Sequence, residues 1–297
     1  MTLAPRFGLF MSQANKPWSQ VLDEFQAADA LGFDTAWLVD HLVDTDGPPE
    51  HPCLEAWTLL AALAASTSRI RLGVLVTSNT FRHPSILLKE AVTVDHVSGG
   101  RLILGLGTGW HEEEHRRYGL PLQPPPERVD RFAEAVEIAV RLQEEPRLTY
   151  HGRFYDLEDA VFEPRPVQSP HIPLLIAAHR PRMLRLAARW ADQWDTFPEL
   201  EGAATEGVAS SLAERLRAFE DAVRDAGRDP ATIRRSTWGL SDTVASDDAF
   251  ESFVRRHLEA GFTDVCVVPG AAPLERLRRI AETIVPRLRE EFAVRAG

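Results

Sequence analysis

The chain has 297 residues, 44% of them hydrophobic and 26% charged, the balance of an ordinary soluble globular protein with a sizeable core. A formal charge of −11 excludes wholesale nucleic-acid binding, which shows as a basic surface, while leaving room for a local basic pocket. Cys53 and Cys266 stand far apart with no Cys-x-x-Cys pair, so no disulfide framework or cysteine metal site is implied.

MTLAPRFGLFMSQANKPW lacks the charged start and continuous apolar stretch of a signal peptide, and no apolar run approaches the roughly 18 residues of a membrane helix. The expectation is a cytoplasmic protein with no membrane partner. Along the chain, short apolar, β-branched runs at 6–11, 35–39, 70–77, 101–107, 172–177, 193–197, 234–239 and 264–268 read as strands. Helix-period segments lie between them at 18–31, 55–66, 84–97, 127–142, 181–190, 209–226, 247–260 and 274–292. Strands separated by amphipathic helices imply βαβ units and a parallel sheet. Eight of each predict an α/β protein of the (β/α)8 TIM-barrel type, a single domain over 1–297. ALGFDTAWL and EAGFTDVCVV both run helix, Gly, Phe, strand, with glycine where a helix C-cap wants it. The polar, proline-rich stretch at 146–172 is too long for an ordinary loop and predicts an insertion with its own short structure.

In a barrel, chemistry gathers where strands end and loops toward the next helix begin. Four strand ends are unusual here: Asp40-His41 after the second, VTSNTFRHP at the third, GTGWHEEEH at the fourth and AAHRPR at the fifth. His41 reads either as a proton-handling group or as one half of a loop pair with Asp40. GLGTG lacks the last spacing of a dinucleotide fingerprint; its glycines suit a tight turn and also let a flat ring approach the backbone. AAHRPR leads small residues into a helix N-terminus, a natural anion site to which Arg180 and Arg182 can add charge.

HEEEH at 111–115 satisfies His-Glu-x-x-His, the zinc-protease pattern that puts two histidines on one helix face. It follows a barrel strand rather than lying on a core helix, and no third ligand is evident. Glu112 to Glu114 fit a solvated first helical turn near the positive helix end, so no metal is expected.

GFDTAWLVDH, the block from EAWTLLAALAAS through GTGWHEEEHRRYGLP, and PLLIAAHRPRMLRLAARWADQWDTF together resemble the bacterial luciferase-like family of flavin- and deazaflavin-dependent oxidoreductases, most of all its coenzyme F420-dependent subgroup. The resemblance implies an oxidoreductase moving a hydride between coenzyme F420 and a small organic substrate, with a homodimer by analogy. An FMN-dependent monooxygenase is the alternative, and a barrel that binds a flavin without turnover is a third reading. It implies a ring site against a non-proline cis peptide at Leu75-Val76, with Asp40 and His41 as a catalytic pair in which Asp40 orients His41. Ser78 and Asn79 match ring-contacting positions, Gly107, Thr108 and Trp110 the pocket wall, and Ala177, Ala178 and His179 the phosphate turn, with Arg180 beside it. Two positions depart from the family pattern. Ala177-Ala178 stands where Gly-Gly is common, and Trp110 where some members carry an acidic glutamate, which suggests an apolar or aromatic substrate.

Overall fold

The structure, a computed structural model, describes residues 3–197 and 211–294. The first half runs β1 (Arg6–Phe10), α1 (Trp18–Leu31), β2 (Thr35–Leu38), α2 (Ala56–Ser66), β3 (Arg71–Val74), β4 (Thr77–Ser78), α3 (Pro84–Ser98), β5 (Leu102–Gly107), α4 (Glu112–Tyr118) and α5 (Pro125–Glu144). The second half runs β6 (Arg147–His151), β7 (Asp156–Val161), β8 (Leu174–Ala177), α6 (Pro181–Trp190), β9 (Gln193–Asp195), α7 (Leu212–Asp225), β10 (Arg234–Gly239), α8 (Asp247–Ala260), β11 (Asp264–Val267), α9 (Leu274–Arg279) and α10 (Val285–Val294).

The parallel strands pair in the order β3-β2-β1-β11-β10-β9-β8-β5, and β3 pairs back onto β5, closing the barrel that the alternation of strands and helices predicts. The expected strand at 70–77 is cut in two: β3 and β4 are one barrel position, interrupted at Leu75-Val76, whose peptide bond is cis. β6 and β7 form an antiparallel hairpin outside the barrel, between α5 and β8. Gly32 and Gly261 end α1 and α8 in the left-handed region, at φ 82° and 106°, where a side chain would be strained.

Side chains alternate along each strand, and the alternation sorts the core into two parts. Ala36 and Leu38, Leu102, Leu104 and Leu106, and Leu174 and Ile176 face the helices in the large outer core. Trp37, Ile103, Leu175 and Cys266 face the other way, into the barrel. The Trp37 indole is 1% exposed and donates to Thr35 Oγ1 at 3.1 Å. Space for the ring depends on one glycine beside it: a Cβ on Gly73 would lie 2.8 Å from the Trp37 ring.

The expected helix at 274–292 is instead α9, a π-turn at Ile280–Ile284 and α10. Pro286 explains the break. Its nitrogen has no hydrogen to give the Glu282 carbonyl, and its ring would crowd that carbonyl in a regular α-helix. The start of the expected helix at 209–226 lies outside the described residues; α7 begins after a capping box in which Ser211 Oγ accepts from Glu214 N.

Among the glycines of the barrel strands, Gly105 has the closest backbone neighbour. A Cβ there would meet the backbone oxygen of Val74 at 2.1 Å, and a carbonyl of the neighbouring strand cannot step aside as a flexible side chain could. Gly105→Ala is expected to destabilise the barrel by about 1–3 kcal/mol, the usual range for overpacking, read as a lower urea midpoint. An unchanged midpoint would show that β3 and β5 separate freely at this level.

Candidate active site

The C-terminal ends of the barrel strands surround a cavity of about 620 Å³. Of the residues singled out in the sequence, Asp40, His41, Leu75, Val76 and Ser78 line it from one side. Gly107, Thr108, Trp110, Ala177 and His179 line it from the other. Phe10 and Trp238, in edge contact at 5.3 Å, add an apolar wall that the sequence did not single out.

Three expected residues lie elsewhere. Asn79 follows Ser78 and, by strand alternation, turns to a second cavity of about 360 Å³ under the hairpin tip, its amide donating to the Tyr155 hydroxyl at 3.3 Å. Ala178 alternates with Ala177 in the same way and sits in the outer core at 1% exposure. Arg180 is the N-cap residue of α6 and is exposed.

Asp40 does not orient His41. Its carboxylate is 4% exposed and is held by Arg82, at 2.8 and 3.1 Å, and by the Ser78 backbone N–H at 2.8 Å. Arg82 also bonds Glu55 and lies 3.4 Å from Glu90. Burial works against the guanidinium charge, but Asp40 and Glu55 outweigh it and raise its pKa.

The partner of His41 is Glu114. Glu114 Oε2 is 3.0 Å from His41 Nδ1, and Oε1 accepts from the backbone of Leu42 and, at 3.3 Å, Val43. Burial alone would raise the carboxyl's pKa, but the His41 bond and the two N–H donors reverse it, and the net shift is downward. The sequence reading as a solvated turn holds for Glu112 and Glu113, which are exposed, and fails for Glu114, which is 0% exposed. Tyr118, one turn further along α4, donates to the Leu42 carbonyl at 3.0 Å, so α4 grips this loop along one face.

The HEEEH histidines are engaged otherwise. His111 caps α4, its ring accepting from Glu114 N at 3.2 Å. His115 is buried, with Nδ1 2.7 Å from the His111 carbonyl and Nε2 2.6 Å from Thr80 Oγ1. Among the described residues, no group of three His, Cys, Asp or Glu side chains is placed to hold a metal ion.

Two more titratable groups reach the cavity. Burial, helped by the charge of Arg215, pushes His179 down to about 4, so it is neutral at pH 7. Asp195 ends β9 at 4% exposure, accepting from Ser236 Oγ at 2.7 Å. Burial raises its pKa to about 8, partly offset by the Ser236 bond and reinforced by the charge of Asp264. A carboxyl titrating near 8 in the native state and near 4 when unfolded makes the folded form bind more protons between those values. Its stabilising contribution is therefore present at low pH and lost as pH rises through about 8. Asp195→Asn should flatten the fall in thermal midpoint between about pH 5 and pH 8. A variant with the same pH slope as the parent would mean that Asp195 is ionised in the native state.

The family profile described as luciferase-like monooxygenase matches residues 1–291. The chain is 35% identical to the F420-dependent glucose-6-phosphate dehydrogenase of Microbacterium testaceum, over 99% of this chain and 100% of that protein. In structure it is similar to the coenzyme F420-dependent tetrahydromethanopterin reductase of Methanopyrus kandleri, with a TM-score of 0.78, 18% identity, and coverage of 96% and 99% of the two chains. It is equally similar to a monooxygenase from Streptomyces bottropensis, with a TM-score of 0.78, 23% identity, and coverage of 95% and 99%.

Proposed function

We propose, from the premise that the chain belongs to the luciferase-like monooxygenase family, that it is an oxidoreductase transferring a hydride between coenzyme F420 and a small organic substrate at the cavity of the barrel mouth. What carries the reading is the combination of a cavity sized for a flat tricyclic ring with a helix N-terminus at its edge.

The residues fit that cofactor. Leu75, Val76 and Trp238 offer apolar surface for a ring, and the volume is within the ordinary range of ligand sites. Glycine clears the strand end beside them: a Cβ on Gly107 would sit 2.5 Å from the Val76 side chain. Ala177, Ala178 and His179 lead into the first turn of α6, whose unpaired N–H groups and positive dipole end suit a phosphate. Since His179 is neutral, the fixed positive charge behind this turn is the Arg215 guanidinium, 3% exposed and donating to Thr196 Oγ1 at 3.2 Å.

Bound there, the deazaflavin supplies or accepts the hydride. The protein's part is to seat the ring, keep water from the reacting atoms and handle the accompanying proton. His41 is the group for that proton: it lines the cavity, and among the described residues its ring bonds through Nδ1, to Glu114, leaving Nε2 for a ligand. Asp40 acts one step back, fixing the loop that carries His41. Trp110 is 64% exposed at the rim, with its ring 5.7 Å from that of His41, so an incoming substrate meets an aromatic edge there.

Titration with F420 and with FMN, followed by quenching of each cofactor's fluorescence, tests the reading. F420 should bind the more tightly; tight binding of FMN alone would move the assignment to a flavin monooxygenase. His41→Ala should lower turnover of a responsive alcohol or ketone by about 10²–10⁴-fold with much less effect on cofactor affinity. Undiminished turnover would mean that the proton comes from elsewhere.

A further inference from the structure

We propose that Glu114 is a positioning residue that selects one tautomer of the His41 imidazole, proton on Nδ1, so that Nε2 is the acceptor facing the cavity. The inference rests on the reading of His41 as the proton carrier, and extends it to a residue four positions after Trp110, the site where some family members place an acidic glutamate.

The argument is one of donors and acceptors. A carboxylate has oxygens that only accept, and Glu114 is kept ionised by the bonds it receives. At 3.0 Å from Oε2, His41 Nδ1 has to be the donor. A neutral imidazole carries one N–H, so Nε2 is left as the acceptor. The carboxylate is itself fixed: Oε1 takes the N–H groups of Leu42 and Val43, and the Glu114 backbone N–H is held by the His111 ring. The rings of Trp110 and His111, 5.7 and 6.0 Å from that of His41, stand edge-on to it and limit its rotation.

This arrangement suits both directions of the reaction. In alcohol oxidation, the O–H bond breaks with its proton going to Nε2, while the C–H electron pair leaves with its hydrogen to the bound deazaflavin and a C=O bond forms. The ring then carries a positive charge directly opposite the Glu114 carboxylate. In reduction, the same imidazolium returns the proton from Nε2 to the substrate oxygen. With the proton on Nε2 of a neutral ring, the oxidative direction has no base.

Glu114→Gln separates this role from loop support. The glutamine oxygen can still accept from Leu42 and Val43, but its amide donates to Nδ1, which forces the proton of a neutral ring onto Nε2. Histidine-selective ¹⁵N labelling of the full-length, cofactor-free protein, with the His41 signal identified by its loss in His41→Asn, reads the tautomer directly. The expected results are Nδ1–H in the parent and Nε2–H in Glu114→Gln, with kcat lowered about 10²–10⁴-fold, as when a catalytic histidine is held in the wrong tautomer. The dissociation constant for F420 should stay within about threefold, well under one tenfold step. A parent ring protonated on Nε2, or a variant whose tautomer does not change, would overturn the proposal. A changed tautomer with undiminished kcat would also overturn it, and the turnover of His41→Ala then shows whether the proton-carrier reading falls too.

Discussion

The mouth of this barrel depends on one buried charge. Asp40, just past the end of β2, accepts from both terminal guanidinium nitrogens of Arg82 and, in a third bond, from the backbone N–H of Ser78. Arg82 extends the network to Glu55, whose carboxylate caps α2 by accepting from Trp57 and Thr58, and to Glu90 on α3. Strand end, interrupted strand and two helices are thus joined by groups that cannot be removed singly. Losing one partner of a buried pair leaves the other uncompensated, a cost of about 3–5 kcal/mol. The pair consequently fixes where the chain goes next. His41 leaves β2 from a residue that cannot shift, and Ser78 is pulled inward to the cavity wall.

Within that frame, the carboxyl groups around the cavity are driven apart by their surroundings. Glu114 is buried but receives a ring N–H and two backbone N–H groups, and stays charged. Asp195 is buried with a single hydroxyl donor and a second carboxylate nearby, and holds its proton to about pH 8. The same functional group is an anion on one side of the site and an acid on the other. No lysine or arginine is among the described residues lining the cavity, so its polarity comes from carboxyls, four histidines, the Ser78 and Thr108 hydroxyls and backbone.

What the sequence made legible follows from strand periodicity and local punctuation. The alternation in AWLVD and RLILGLG puts leucines outward and Trp37, Gly105 and Gly107 inward, and the Gly-Phe junctions mark where helices stop. The same alternation, carried one residue past the strand ends, takes Asn79 and Ala178 away from the cavity, although they adjoin Ser78 and Ala177 in the chain. Glu114 was hidden for a different reason. Three consecutive glutamates in a first helical turn look alike along the chain, and only the loop folded against α4 from 72 positions earlier distinguishes the third. Arg82, inside VTSNTFRHP, has no role visible in its own stretch, since its partners lie in elements separated from it by up to 42 residues.

The barrel is plugged below its mouth. Trp37, packed among Ile103, Leu175 and Cys266, occupies the interior beneath the cavity, with Phe10, Leu75, Val76 and Trp238 resting on this cluster from above. A ligand reaching the floor therefore has no passage through the far end of the barrel, and traffic is confined to the rim where Trp110 stands. The indole of Trp37, buried in the barrel interior, thereby leaves the rim as the side from which the cavity is filled.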